Sequence, residues 1–582
     1  MHDQSIGIAI AGSGGSGAIT TGTLLLEAAC RGGWYANLTR SVGAQIRGGE
    51  AVAMLRLSSR PIRCAGDRFD LLVALDWQNL GRYAAEMPLH DASLLVGDPL
   101  QGEAPAELRA SGAQSASVAF RTLAQSVPGG RPNMVALGLL SALIGLDESA
   151  VEAVVQEALG SKGPAVLKAS LDAVVVGRAQ AAKLPSLPLP KRGALPNGSS
   201  DSSPRNRWSI TGNQATGLGA LRGGVRFVAA YPITPATEVL EWMAPALDQI
   251  GGQLIQVEDE LAAINQIIGA SYGGVPALTA TSGPGLSLMT ESIGLAVASE
   301  TPVVVVDVMR GGPSTGIPAK SEQTDLNIAL YGLHGEAPHL VLAPNSVADC
   351  VFTTQWAVHL AESLQAPALV LSDQQLGQTL AVIDPPATYD FQTARVLATA
   401  ASEGGTYRRY ALTESGISPM ALPGTTGCQY TADGLEHNTA AIPSGQASDH
   451  AEQLDKRLRK LTGYDYGQTW ADIEGEGAMA VIIWGSCTGA AREALERLGE
   501  FGASARLISI RLLSPVRPEQ FAAALAGVQR VLVVEQSHSG QFLHYLRANY
   551  PLPAYVDALH RPGPLPLKPG EIVQRLCEGM QK

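Results

Sequence analysis

Four apolar runs, at residues 227–230, 254–257, 277–280 and 303–308, each break into a loop, all within about ninety residues of one another. The loops read Tyr231-Pro-Ile-Thr-Pro235, Glu258-Asp-Glu260, Thr281-Ser-Gly-Pro-Gly285 and Arg310-Gly-Gly-Pro-Ser-Thr-Gly316. Short apolar runs bounded by turn residues and alternating with helical patterns predict buried strands of a parallel sheet. Such a sheet brings the C-terminal ends of its strands to one rim, where open α/β sheets bind their ligands. The four loops are therefore the candidate site.

Each loop carries a residue type suited to a ligand and also admits a purely structural reading. Pro232 and Pro235 restrict the backbone on either side of Thr234 and fix its hydroxyl, which suits a carbonyl or carboxylate; a helix-opening turn is the alternative. Glu258, Asp259 and Glu260 precede Leu261, Ile264, Ile267 and Ile268, spaced along one helix face, so first-turn acids would be favourable there without a ligand. The glycines of Thr281-Ser-Gly-Pro-Gly285 let backbone approach a bound ring and its amides suit anions, or they make a tight strand-to-helix turn. Arg310, at a strand end and followed by two glycines, suits bidentate capture of a carboxylate. Lys320, Gln323 and Asp325 are expected to be solvated polar residues of the next loop.

A chain of 582 residues exceeds one hydrophobic core, and three or four domains are expected. Its net charge of −12 disfavours a nucleic-acid partner or an anionic membrane surface. Cys30, Cys64, Cys350, Cys428, Cys487 and Cys577 stand singly with no C-x-x-C pair, so no metal or cluster site is expected in this chain. Without a signal peptide pattern or a long uninterrupted apolar run, a cytoplasmic protein is expected.

At the N-terminus an apolar strand runs into Gly12-Ser-Gly-Gly-Ser-Gly17 and a helix, the form of a dinucleotide fingerprint. The acid expected on the ribose is absent, since the corresponding stretch reads Ala36-Asn-Leu-Thr-Arg40; a structural turn is favoured, with Arg40 leaving an NADP version open. Ser41-Val-Gly-Ala-Gln-Ile-Arg-Gly-Gly49 flanks Arg47 with glycines, which lets it approach an anion or a neighbouring domain, or leaves it solvated in a surface turn. Residues 184–207, interleaving five prolines with Asn197-Gly-Ser-Ser-Asp-Ser-Ser203, read as an exposed linker. Residues 479–576 return to strand and helix alternation, and Glu535-Gln-Ser-His-Ser-Gly540 within them is a further possible ligand turn.

Tyr231-Pro-Ile-Thr-Pro235, Thr281-Ser-Gly-Pro-Gly285 and Arg310-Gly-Gly-Pro-Ser-Thr-Gly316, in this order, resemble the alpha subunits of 2-oxoacid:ferredoxin oxidoreductases with the gamma domain fused at the N-terminus. The resemblance implies an α/β protein of five parts: a doubly wound gamma domain (1–183), a linker (184–207), a thiamine pyrimidine-binding domain (208–390), an irregular connecting region (391–474) and a transketolase C-terminal-like domain (475–582). It implies oxidative decarboxylation of a 2-oxoacid, with 2-oxoglutarate foremost, to acyl-CoA and CO2 with reduction of ferredoxin, reversible as CO2-fixing carboxylation. An indolepyruvate, branched-chain or pyruvate-type subunit is the nearest alternative. A nucleotide-binding regulatory subunit is the alternative from another class.

By spacing to Gly269, Gly274 and Gly285 the family's cofactor-activating glutamate falls on Glu260, with Glu258 as the fallback. Thr234 and Arg310 become substrate residues. Tyr231, Pro232, Ile233, Ser282, Gly283 and Pro284 join Glu260 around thiamine diphosphate, and Ser41 and Arg47 become candidates for coenzyme A or interdomain contact. Some relatives carry threonine where this chain has Ala319, which leaves the choice of substrate side chain open. The diphosphate-binding Mg2+ motif has no counterpart; Asp433-Gly434 with Asn438 lacks its context and reads as a loop. The resemblance therefore implies a beta subunit that brings Mg2+ and a [4Fe-4S] cluster, in an alpha2beta2 heterotetramer active only when assembled.

Overall fold

The computed structural model describes residues 5–43, 49–78, 80–187, 207–391, 395–399, 406–500 and 502–580. Arg47 and residues 188–206 of the expected linker lie outside the described residues. The chain divides into two compact units: residues 1–211, 378–385 and 567–572, and residues 212–377, 386–566 and 573–582.

In the first unit, β1 (Ser5–Ser13), β2 (Tyr35–Val42), β3 (Glu50–Ser58), β4 (Leu71–Ala74), β5 (Leu94–Gly97) and β6 (Gln114–Ser117) are followed by β7 (Trp208–Thr211). The second unit begins with β8 (Phe227–Ala230), β9 (Gln253–Gln256), β10 (Ala277–Thr281), β11 (Val304–Met309), β12 (Leu340–Leu342) and β13 (Ala368–Asp373). β14 (Leu380–Ile383) returns to the first unit. The chain then lays down β15 (Ala471–Glu474), β16 (Met479–Ile483), β17 (Arg506–Ile510), β18 (Leu512–Ser514), β19 (Arg530–Glu535) and β20 (Tyr555–His560) in the second.

The first sheet has the order β6-β5-β4-β1-β3-β2-β14-β7. β1, β4, β5 and β6 run parallel, whereas β3 is antiparallel to both β1 and β2. Helices cover it through a core that includes Ile8, Ile10, Leu25 and Leu137. The strands Trp208–Thr211 and Leu380–Ile383 join this sheet although each adjoins second-unit sequence.

The second sheet has the order β18-β12-β13-β11-β10-β8-β9, and its inner strands are all parallel. β10, β11 and β13 are buried along their whole length. Helices on both faces of a parallel sheet demand such continuous apolar runs. The edge strand β9, Gln253–Gln256, carries glutamine at both ends and is largely exposed. A third sheet, β15-β17-β16-β19-β20, packs into the same core as the second. The expected α/β class is what the chain adopts.

The stretch 391–474 is anchored by a buried ion cluster. Glu300 accepts from Lys456 Nζ at 2.5 Å and Lys460 Nζ at 3.1 Å, while Arg409 donates to the Glu300 carbonyl at 2.9 Å. Ser418 binds both Lys456 and the Arg409 carbonyl. The Arg408-Arg-Tyr410 and Gly416-Ile-Ser-Pro419 motifs are therefore packing elements, held by the helix Ala447–Thr462.

Candidate active site at the rim of the second sheet

The order β11-β10-β8-β9 sets the four loops side by side at one end of the parallel sheet. The helix Glu260–Tyr272 starts where Asp259 accepts from the Ala262 amide at 2.7 Å, a side-chain N-cap. Capping by Asp259 leaves Glu260 free to turn inward. Glu260 is buried, whereas Glu258 and Asp259 are exposed, so the three acids separate into one inner carboxyl, one cap and one solvated charge.

The seat of Glu260 is made by glycine. A Cβ placed on Gly285 would stand 2.1 Å from Thr281 Oγ1 and 2.7 Å from Glu260 Oε1, so only a residue without a side chain fits. Pro284 occupies the first turn of the helix Gly283–Ala298, where its missing N–H does no harm. Ser282, wholly buried just before that helix, has an Oγ with no partner. Buried polar atoms are usually bonded, so an orphan hydroxyl beside a glycine cradle fits a site that receives a polar ring.

Arg310, at the end of β11, is buried and its Nη1 donates to the backbone carbonyl of Thr234 at 2.6 Å. This bond joins the two expected substrate residues, through the Thr234 carbonyl; its side chain is exposed. Tyr231 is also exposed, and Pro232 and Ile233 are half-buried, Ile233 against the core. From the other side Asn213, wholly buried, donates to the Pro235 carbonyl at 3.0 Å and to Glu238. Arg310 and Asn213 together fix the loop. Burial lowers the pKa of Arg310, opposed by the charge of Asp325.

Two acids missed as site residues sit beneath this rim. Asp307 replaces an apolar residue in the otherwise Val- and Met-lined β11 and is wholly buried. Asp325 and Gln323 were expected in solvent. Gln323 is instead buried, donating to the Trp484 carbonyl at 3.0 Å and accepting from the Gln536 amide at 2.9 Å, which ties the loop to the third sheet. Asp325 follows it inward: a Cβ on Gly283 would meet its oxygens at 2.6 and 2.8 Å. The loop is fixed because its polar residues find partners in the fold. An acid inside an apolar strand was the signal for Asp307.

The N-terminal glycine turn and the turn after β19 are held by bonds within the chain. Ser13 N and Oγ both donate to Asp76, at 2.9 and 2.8 Å, the Gly14 amide donates to the Gly49 carbonyl, and the Ser16 amide to the Ser13 carbonyl. These amides of the glycine turn are spent within the chain. Ser41 is buried within β2. Glu535 accepts from Ser537 and from the amides of Phe542 and Leu543, making its turn a helix cap, and His538 is exposed. Among the described residues, no group of three His, Cys, Asp or Glu side chains is placed to hold a metal ion, and no helix is long and apolar enough to cross a membrane.

Residues 218–456 match the family described as "Pyruvate flavodoxin/ferredoxin oxidoreductase, thiamine diP-bdg", and residues 7–180 match "Pyruvate ferredoxin/flavodoxin oxidoreductase". The 2-oxoacid:ferredoxin oxidoreductase subunit alpha of Saccharolobus solfataricus is 35% identical over 370 residues, 59% of this chain and 57% of that protein, so the chain spans little more than half the length of that relative. The 2-oxoglutarate oxidoreductase subunit KorA of Mycobacterium tuberculosis is 30% identical over 600 residues, 94% of this chain and 87% of that protein. Among solved structures, the 2-oxoglutarate:ferredoxin oxidoreductase from Magnetococcus marinus with 2-oxoglutarate, coenzyme A and succinyl-CoA bound superposes with a TM-score of 0.90 at 37% identity, covering 99% of this chain and 100% of that one.

Proposed function

The chain belongs to the 2-oxoacid:ferredoxin oxidoreductase family, and from that premise we propose that it is the subunit of a 2-oxoglutarate:ferredoxin oxidoreductase that grips the thiamine ring and the oxoacid. The observation that carries this reading is the meeting of two pairs at one rim, Glu260 in its Gly285 cradle and Arg310 bonded to the Thr234 loop.

When bound, thiamine diphosphate supplies the carbon nucleophile and the electron sink for decarboxylation of a 2-oxoacid. Glu260 would hold and exchange a proton with the aminopyrimidine ring, and its burial keeps water from competing for that bond. Tyr231, Pro232, Ile233, Ser282, Gly283 and Pro284 would line the ring. Arg310 would pair with the substrate carboxylate, with the guanidinium held in place by the Thr234 carbonyl and the Thr234 hydroxyl turned outward toward the substrate.

A beta subunit would bring the Mg2+ that binds the diphosphate and a [4Fe-4S] cluster that passes electrons to ferredoxin, in an alpha2beta2 assembly in the cytoplasm. Coenzyme A would accept the acyl group, and Ser41 and Arg47 are the candidates in this chain for binding it or for an interdomain contact. Similarity to relatives named for 2-oxoglutarate supports that substrate over pyruvate.

The test is co-expression with the partner subunit and assay of acyl-CoA formation with a low-potential acceptor, across 2-oxoglutarate, pyruvate, branched-chain and aryl 2-oxoacids. The highest kcat/KM is expected with 2-oxoglutarate, and none without the partner. Turnover by the isolated chain, or preference for another oxoacid, would overturn the corresponding part.

A further inference from the structure

Three strands of the third sheet, β16, β19 and β20, begin at a cleft of about 360 Å3 that is also lined by the last turns of the helix Pro569–Met580. The far ends of two of them are engaged elsewhere. Trp484, just after β16, accepts from Gln323 through its carbonyl, and the amide of Gln536, just after β19, donates to the Gln323 side chain. The cleft therefore lies at the opposite end of its sheet from the loop that joins Arg310 to Asp325, and its occupant is neither the oxoacid nor thiamine diphosphate.

Met479, Leu532 and Leu576 give the cleft an apolar lining, and two arginines and a tyrosine give it a polar one. The arginines differ in how their charge is answered. Arg575 pairs with Asp557 at 2.7 Å and with Glu578 at 3.3 Å. Arg530 has no carboxylate partner among the described residues; its Nη1 donates to the Gly579 carbonyl, and its Nε and Nη2 make no bond there. The Arg530 guanidinium also stands 4.8 Å from the centre of the Tyr555 ring, a cation–π contact that helps to hold it in place. Tyr555 opens the edge strand and is 63% exposed, so most of its ring surface is still free. A fixed cation without a counter-ion, beside an aromatic ring left in water and an apolar wall, suits a flat anion. We propose that this cleft is a binding site for a small organic anion, a carboxylate or phosphate carried on a flat apolar ring. Arg530 pairs with the anion through donors that the fold leaves unused, while Tyr555 and the apolar side chains receive the ring. Clefts of roughly 300 to 1,000 Å3 hold small ligands, and this one falls in that range. Nothing in this depends on Glu260 or Arg310.

The experiment is a ligand-observed NMR titration of the full chain. Phenyl phosphate and benzoate share the ring and differ in the anion; inorganic phosphate and benzyl alcohol carry only the anion or only the ring. Phenyl phosphate or benzoate is expected to saturate one site with a dissociation constant at or below about 1 mM, and each half-probe to bind at least about tenfold more weakly. Arg530→Gln should weaken the tighter probe on the order of tenfold or more, and Tyr555→Ala, at an exposed position, severalfold. In the complex assembled with its partner subunit both variants should keep the wild-type kcat/KM for the oxoacid, which also shows that they fold. Should Arg530→Gln fail to fold, Tyr555→Ala decides. Binding that survives both substitutions lies elsewhere on the chain and overturns the site. No saturable binding up to about 10 mM, the result if another chain covers the cleft, overturns it too. Inorganic phosphate binding as tightly as phenyl phosphate overturns the preference for a ring.

Discussion

The Glu260 carboxyl lies against the Cα of Gly285, and a methyl group there would come within 2.7 Å of Glu260 Oε1. Alanine suits the interior of a helix better than glycine, so Gly285→Ala should leave the helix Gly283–Ala298 intact. The displaced parts are the Thr281 hydroxyl, which the new methyl would meet first, and the Glu260 side chain. Activity of the assembled complex is expected to fall on the order of tenfold or more, with a raised requirement for thiamine diphosphate. Titration of activity against cofactor concentration checks this, and a variant with wild-type response would mean that Glu260 does not need its cradle.

Removing the carboxyl itself should have the larger effect. Glu260→Ala is expected to lower kcat by roughly 10²- to 10⁴-fold, the usual worth of a positioned acid or base. Glu258→Ala, at an exposed position, should stay near the wild type. Reversed outcomes would transfer the role to Glu258. Circular dichroism of both variants controls for folding.

Arg310→Ala removes a buried guanidinium and leaves the Thr234 carbonyl without its donor. The expected result is a rise in KM for the oxoacid corresponding to about 2 to 5 kcal/mol, larger than the change in kcat. Arg310→Lys should recover only part of it, since an ammonium cannot bond two carboxylate oxygens in one plane. Steady-state kinetics on the assembled complex separates the two parameters.

The rim was legible in the sequence because its signals are local. β10 and β11 fall within a residue of the apolar runs that announce them, and the glycine and proline loops follow directly. Its supports were not legible, because they come together only through the fold. Asn213 reaches Pro235 from a helix that starts before β8, and Asp325 comes against Gly283 after an intervening loop whose course depends on Gln323 and the third sheet. The same holds for the first sheet: nothing local to Leu380–Ile383 tells that it pairs with Tyr35–Val42, far away in the chain. The islands of residues 391–474 looked irregular because their partner, Glu300, lies more than a hundred residues upstream.

That cluster makes a stability prediction. Burial alone would raise the Glu300 carboxyl, but Lys460, Lys456 and Arg409 outweigh it and hold it well below the usual carboxylate range. Glu300→Gln would leave Lys456 and Lys460 buried without a counter-charge, and an uncompensated buried ion costs about 3 to 5 kcal/mol. Urea unfolding of the chain should show a midpoint lowered accordingly. A loss below about 1 kcal/mol would mean that the lysines shed their protons or their burial instead.

The acid pair beneath the rim has the opposite sign. Both Asp307 and Asp325 have folded-state pKa values raised above the unfolded value, through burial first, with Asp325 adding to the rise of Asp307 and Glu322 to that of Asp325. An acid raised in this way contributes stability below its unfolded pKa of about 3.9, and that stability is lost as pH climbs toward the folded value. For Asp325 the loss runs from about 4 to about 6. Asp307→Asn keeps the shape of the buried side chain while removing the proton that has to be held. The variant is therefore expected to be more stable than the wild type at neutral pH, by about 1 to 3 kcal/mol, with the gap closing below about pH 4. Urea midpoints on both sides of that window decide the matter: a gap of constant size at every pH would mean that burial does not raise the Asp307 carboxyl.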